Sequence, residues 1–371
     1  MFRLAPTFVL TAALAAQGTG LQLQNGVDAH FDVPASPLLV PSAGITIEAW
    51  LTYDDSTVPS GTYRWPTVCR ENVSPGQESY FLRVAASNNN SKSLQFKVNT
   101  ASGGRSITWT FAAGQLATWT HVACTWDGTT QNIYVNGQVV STASLGGGRI
   151  LNNGGILRVG NGDVSSPGAE TWNGQIDELR IWPFARSQAE IQDSMGDALS
   201  ALPGGVITFG LDNSYTDSSS GLTGTTFGPI GFASNTNALT PRPAVTFPLG
   251  PGTSNCAAAP VCAIAAPPVV GRAGFAWVAT GGPVNSAGLL AFAAGGSAGL
   301  NILGINLFVD TATLLPIAVN TNALGTCRVA LGVPNRPGLV GAGLASQFVF
   351  VDAGCGPQGL VASNALLTAI Q

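Results

Sequence analysis

Carboxylate chemistry is the first possibility that the residue types of this chain raise. Nineteen Asp and Glu are spread over 371 residues. Cleaving a glycosidic bond with retention needs two carboxyl groups about 5–5.5 Å apart. On a single strand that means acids at alternate positions, because successive side chains point to opposite faces. Asp54-Asp55 and Asp177-Glu178 are adjacent instead, so neither pair shares a face. Gly295-Gly296-Ser297-Ala298-Gly299 has the spacing of a nucleophile elbow, but that chemistry requires a later His and none follows Ser297. The two histidines, His30 and His121, are isolated, and no Cys-x-x-Cys pair exists, which removes a zinc site of ordinary spacing. The residues point to a protein that binds rather than one that catalyses.

The elements that would carry such residues are short strands. Charged residues make up only 9% of the chain, against 47 Gly and 23 Pro, a composition suited to strands joined by turns and poor for long helices. A net charge of -4, with lysine only at Lys92 and Lys97, excludes a nucleic-acid footprint and a polybasic membrane patch. Arg3, the apolar run Leu4–Leu14 and the small-residue signal Ala13-Leu14-Ala15 read as a secretory signal over residues 1–16, too short to span a bilayer. Nothing later reads as transmembrane. The expected location is secreted, extracellular or in the cell envelope. Six cysteines in an exported chain suggest disulfides, and sequence alone permits 15 pairings. Local order favours Cys256–Cys262 and Cys327–Cys355, leaving Cys69–Cys124. Buried free thiols at Cys69 and Cys124 are the alternative.

Trp119 to Gly137 reads as a hairpin in which Val122, Cys124 and Trp126 share one face, with turns at Asp127-Gly128 and Asn136-Gly137. Leu21 to Val33 contains Asn25-Gly26 and reads as another hairpin. Ile45–Leu51, Thr67–Arg70, Tyr80–Val84, Leu94–Val98, Ile107–Phe111 and Gln175–Trp182 read as further strands. Ser187 to Glu190 forms a capping box that opens a short helix. From about Leu249 charge nearly vanishes, and six more apolar runs between Phe275 and Ile370 predict a second, smaller β-sandwich.

The order of these motifs resembles the LamG-like jelly roll (laminin G type 3) of the concanavalin A-like lectin/glucanase superfamily. The residues that carry the likeness are Glu48-Ala49-Trp50, the Trp119–Gly137 hairpin, Arg158-Val159-Gly160 and the run Gly174–Trp182. The implied fold class is all-β, with a jelly-roll sandwich over residues 21–196 and the smaller sandwich over 249–371. Residues 197–248 read as a linker or edge hairpin. The last region resembles domains that close many secreted planctomycete proteins.

The resemblance implies a non-catalytic module binding a glycan or an extracellular protein, and it also suggests calcium. In the related glucanases an Asp matching Asp177 holds a structural calcium, to which Asp28 would contribute. The likeness extends to pentraxins, from which Asn161, Asp163 and Glu170 carry over as a loop site, with Gln77 and Glu78 near the family's other ligand position. Tyr63, Trp65 and Trp172 lie in loops and are the aromatic candidates for ligand binding, although the family often plugs its sandwich with an aromatic at the place of Trp172. The alternative role is a structural cell-envelope or adhesion component without a small-ligand site.

Overall fold

The computed structural model describes residues 18–24, 26–54, 65–86, 91–162, 170–237, 239–242, 246–254, 258–355 and 359–371. The first unit begins with strands β1 (Thr19–Leu23), β2 (His30–Val33), β3 (Ile45–Leu51), β4 (Thr67–Glu71), β5 (Tyr80–Ala86), β6 (Lys92–Thr100) and β7 (Gly103–Thr110). It continues with β8 (Thr120–Trp126), β9 (Thr130–Val135), β10 (Gln138–Ser144), β11 (Leu157–Val159) and β12 (Gly174–Trp182), then a helix α1 (Gln188–Ser194). After these come β13 (Asp197–Leu199), β14 (Ile207–Phe209), β15 (Thr225–Phe227) and β16 (Gly231–Ser234). One sheet runs β10-β9-β8-β3-β12-β1-β16, with β14 also on β12, and the other runs β15-β2-β11-β4-β5-β6-β7.

The period-2 pattern explains why the two sheets face each other. Ile45, Ile47, Ala49 and Leu51 of β3 and Val122, Cys124 and Trp126 of β8 turn into the same core as Leu94, Phe96 and Val98 of β6. At the β9–β10 turn Asn136 and Gly137 have φ of 49° and 74°, the positive pair that a two-residue hairpin of this hand requires. The capping box forms as expected, since Ser187 Oγ accepts from the Glu190 amide and the Glu190 carboxylate accepts from the Ser187 amide at 2.7 Å.

Two expectations are corrected. Leu21 to Val33 is not a hairpin: β1 pairs with β12 and β16 in one sheet, while β2 pairs with β11 and β15 in the other. The turn at Gly26 crosses between layers, because Leu21 and Leu23 fill the core from one side and Phe31 and Val33 from the other. The proposed disulfides are also not formed as paired. Cys69, Cys124, Cys262 and Cys327 are buried free thiols, and each of the three expected bridges includes at least one of them. Cys355 is disulfide-bonded, while Cys256 lies outside the described residues. Cys69 and Cys124 come from facing sheets and both pack as apolar side chains within the shared core. Cys262 and Cys327 flank Ala279 as next-but-one strands, about 9–10 Å apart. A disulfide needs Cα atoms within about 7 Å. Burial pushes the Cys69 and Cys262 thiols up to about 12, so all four behave as small apolar side chains.

Residues 197–248 add edges to both sheets, through β14 and β16 on one and β15 on the other. The second unit packs a six-stranded sheet, which includes Ala287–Ala293, Gly343–Val351 and Ala365–Ala369, against Val261–Ile264, Ala276–Thr280 and Cys327–Ala330. Phe348, Phe350 and Leu366 meet Cys262, Phe275 and Trp277 between those layers. Each of the six runs expected there overlaps an observed strand, and Ile305–Val309 has the expected bounds.

The second unit caps one end of the jelly roll. That end holds the start of β3, the finish of β8 and the finish of β12, since Ile45 pairs with Trp126 and Thr46 with Trp182. Leu324 sits on Gly128, Arg149 donates to the Leu324 carbonyl at 2.9 Å, and Arg186 donates to the Ala265 carbonyl at 3.0 Å. Arg328 pairs with Glu190, and Arg272 pairs with Asp197 at 2.6 Å. The chain after residue 250 has only three basic residues, so two of the three are committed to this dock. An apolar seam of Trp182, Phe184 and Leu202 against Ala263, Ala276 and Val278 lies between them.

Candidate functional site at the open end of the sandwich

The opposite end stays clear of the dock contacts just described. It collects the finishes of β1, β3 and β11 and the starts of β2, β4 and β12, as the antiparallel registers dictate. Asn161, fully buried where β11 ends, donates from Nδ2 to Asp28 Oδ1 at 2.7 Å and accepts from the Gly162 amide at 2.7 Å. Asp28 is half exposed, and His30 Nδ1 lies 3.0 Å from the same Asp28 oxygen. The His30 ring stacks on Phe227 of β15 with centroids 4.9 Å apart. Beyond it, burial acts to raise the Asp32 carboxyl, but two Arg158 hydrogen bonds at 2.8 Å hold it below its usual range.

Glu170 folds back over this turn. A Cβ at position 162 would lie 1.5 Å from Glu170 Oε2, so only glycine fits under the carboxylate. Gly162→Ala is therefore expected to displace Glu170 and destabilise the chain by about 1–3 kcal/mol, the usual penalty for overpacking. Thermal melts of Gly162→Ala and of Gly162→Ala/Glu170→Ala check this, the second being expected to recover most of the loss.

The structure gathers some of the expected residues and separates others. Asn161, Glu170 and Asp28 come together, whereas Asp163 and Tyr63 lie outside the described residues. Trp65 is half-buried at the start of β4, with the Arg83 guanidinium 4.1 Å from its ring centre. Trp172 is corrected as a ligand-facing ring. It is fully buried, donates to the Thr52 carbonyl at 2.9 Å and meets Tyr53 edge-on at 5.2 Å, which makes it the plug beneath the rim. Gln77 and Glu78 lie at the other end of β4 from Asn161, because Val159 pairs with Cys69 and Tyr80 with Glu71. Glu78 is spent on Lys97 at 2.7 Å and Arg70 at 2.9 Å.

Asp177 is not beside Asp28. It sits at a bulge in β12, where Glu178 takes a φ of 49°. Asn235 donates to one of its oxygens and the Glu178 amide to the other at 2.9 Å. Burial, then the charges of Glu178 and Asp212, push Asp177 up to about 8. Burial also raises Glu178 to about 7 against the pull of Arg180. Sequence reading missed Asp212 and Asn235 because both come from residues 197–248, far along the chain.

This bulge predicts a pH dependence. The folded chain keeps the Asp177 proton up to about pH 8, while the unfolded chain releases it near the ordinary value of 3.8. Stability must therefore fall as pH rises through that window. His121 acts oppositely, since burial, against the Glu48 charge, lowers it from 6.5 to about 4, but its effect is complete above pH 6.5. Glu178 adds to the fall up to about pH 7, and between pH 7 and 8 Asp177 alone is expected to lower the stability of the chain on the order of 1.4 kcal/mol per pH unit, the slope for one proton. Melting curves should lose that slope in Asp177→Asn.

At the loop, Asn161 uses both side-chain atoms within the protein, and its expected partner Asp163 lies outside the described residues. Among the described residues no three His, Cys, Asp or Glu side chains are placed to share a metal ion. At Asp177 both oxygens are likewise bonded within the protein, to Asn235 and the Glu178 amide, but the like charges of Glu178 and Asp212 beside this buried carboxyl are what a cation would relieve.

Residues 25–192 match the family model of the concanavalin A-like lectin/glucanases superfamily. That stretch is similar to concanavalin A-like domains of the laminin G type. The chain is also similar to part of a pentraxin-related protein, PTX3, of Bos taurus, 31% identical over 105 residues. Those residues are 26% of this chain, which spans only 28% of the length of that relative. Among solved structures, a heptameric SAP-like pentraxin from Limulus polyphemus aligns at 14% identity over 61% of this chain and 99% of its own, with a TM-score of 0.44. A putative carbohydrate binding protein from Bacteroides ovatus aligns at 19% identity over 58% of this chain and 60% of its own, also with a TM-score of 0.44.

Proposed function

We propose that this chain is an exported, non-catalytic glycan-binding protein that takes its ligand at the open end of the jelly roll. The observation that carries the reading is the asymmetry of the sandwich. One end is closed by the second unit, and the other presents Asp28 and Trp65 over the buried Asn161 and Glu170 and the plug formed by Trp172. The superfamily matched by residues 25–192 includes lectins by name, which supports a glycan as the ligand. The residue 1–16 leader pattern supports export. Hydrolysis is disfavoured because the adjacent acids Asp177 and Glu178 are each only 3% exposed.

A glycan microarray probed with the purified full chain tests this. The expected result is binding to one glycan class that falls at least tenfold in Asp28→Ala or Trp65→Ala. Absence of binding to every glycan would overturn the reading. We also propose a structural calcium at Asp177, since a ligand that binds only the folded state raises its stability. Melting with calcium against EDTA is expected to show a shift that Asp177→Ala removes, and no shift at millimolar calcium would dismiss the ion.

One observation favours assembly as a second reading. Leu300, Leu303 and Leu315 of the second unit are 50%, 61% and 58% exposed on a surface with almost no charge. Sedimentation of the full chain decides it: a concentration-dependent oligomer lost in Leu303→Ser supports assembly, and a monomer removes it.

A further inference from the structure

A cleft of about 380 Å³ lies on the seam where the second unit docks. Its volume falls in the range of about 300–1,000 Å³ typical of small-ligand sites, which favour domain interfaces. The jelly roll contributes Asp127 and Tyr134 to its lining, and the second unit contributes Asn322 and Arg328. We infer that this cleft binds a small zwitterion, an α-amino acid, whose ammonium meets Asp127 and whose carboxylate meets Arg328 and Asn322. The inference stands apart from the glycan proposal, because the cleft is at the docked end of the sandwich.

Each of these groups is held by one part of its side chain and keeps another for a ligand. Asp127, in the β8–β9 turn, accepts from the Thr129 and Thr130 amides at 2.8 and 2.7 Å, both at Oδ1. Its Oδ2 is in no hydrogen bond or ion pair with any described residue. Asn322 Oδ1 accepts from the Leu324 and Thr326 amides at 2.9 and 3.0 Å, which leaves Nδ2 as a donor. Leu324 of that turn sits on Gly128, so the two turns are held against each other across the seam. Arg328 spends Nη1 on the Glu190 carboxylate and Nη2 on the Ala185 carbonyl at 2.5 Å, which leaves Nε–H. Ile133 and Val135 of β9 face the core, so Tyr134 between them faces outward. Burial raises the Tyr134 hydroxyl above its usual range, which keeps it a donor.

The pairing of charges in the lining selects the ligand class. Arg186, which also lines the cleft, donates to both Glu48 oxygens at 2.8 and 2.7 Å, and Arg328 is matched by Glu190. Asp127 has no such match among the described residues. A simple amine would satisfy Asp127 but offers no acceptor to Arg328, Asn322 and Tyr134. A simple carboxylate would fill those donors but bring a like charge to Asp127. An α-amino acid supplies both groups in one small molecule. Because the two halves of the site come from different units, its binding should staple the dock and raise the melting temperature.

Calorimetric titration and thermal melts of the full chain with glycine, alanine, serine, valine, glutamate and lysine test the inference, with propionate and propylamine as single-charge controls. At least one amino acid should bind and raise the melting temperature, and neither control should. Asp127→Asn keeps the Oδ1 acceptor of its turn and removes the charge. Asn322→Asp likewise keeps the Oδ1 acceptor and removes the donor. Both residues are exposed, so the free variants should melt near the parent. Each variant should weaken binding about tenfold or more, the scale of one charge-assisted hydrogen bond. Gln24→Ala, exposed at the opposite end, should leave it unchanged. A control that binds as tightly as the amino acids would overturn the ligand class. Amino-acid binding untouched by both variants would overturn the cleft as its site. Binding of no amino acid would overturn the inference outright and leave the glycan proposal standing.

Discussion

Glu48→Gln is expected to destabilise the protein by about 3–5 kcal/mol, the range for removing one partner of a buried ion pair. Glu48 is fully buried at the centre of β3's outer face. Arg186 Nη1 donates to both of its oxygens at 2.8 and 2.7 Å, Trp182 Nε1 donates at 2.9 Å, and Arg180 Nη1 approaches at 3.4 Å. Burial acts to raise its carboxyl, but Arg186 and then Arg180 hold it below its usual range. Neutralising it leaves two buried guanidinium groups without their shared counter-charge. Because Arg186 also reaches Ala265 across the dock, the loss should extend to the second unit. Urea unfolding of Glu48→Gln, Arg186→Met and the double variant checks this: the double variant should be less destabilised than the sum of the two singles. Additive losses would mean that the two side chains do not act as a pair.

Trp172→Ala should be as severe, about 3–5 kcal/mol, because it empties an aromatic volume at the sealed base of the rim. Trp172→Phe keeps much of that volume and loses the bond to Thr52, so a penalty near 1 kcal/mol is expected. Thermal melts of both variants decide the role of the ring. A Trp172→Ala chain that melts within about 1 kcal/mol of the parent, yet loses ligand binding, would return Trp172 to the ligand-facing set.

The layers of the fold were legible because alternation is local. Leu94-x-Phe96-x-Val98 can bury only one face, and Ser187 and Glu190 can complete a capping box within a single turn. What stayed hidden depends on pairings between distant residues. Nothing near Asn25-Gly26 says that β1 and β2 join different sheets; that follows from β12 and β11 competing for them as partners. Cysteine count cannot report that Cys69 and Cys124 stay free thiols buried in the core between the layers. At the rim, the link from Asn161 to Asp28 spans 133 residues, a separation that no local pattern reports. Asp177 was visible as an acid on the last strand, but its neighbours Asp212 and Asn235 come from a segment whose role becomes clear only when it adds edges to both sheets.

Hydrogen–deuterium exchange of the full chain, with and without the glycan that binds it on the microarray, tests the central claim most directly because it locates the ligand. Protection is predicted at the open end, in peptides covering residues 26–30, 52–54, 161–162 and 170–174, with no change at the dock around Gly128 and Leu324. Protection confined to the second unit, or to the outer face of β5, β6 and β7, would contradict it.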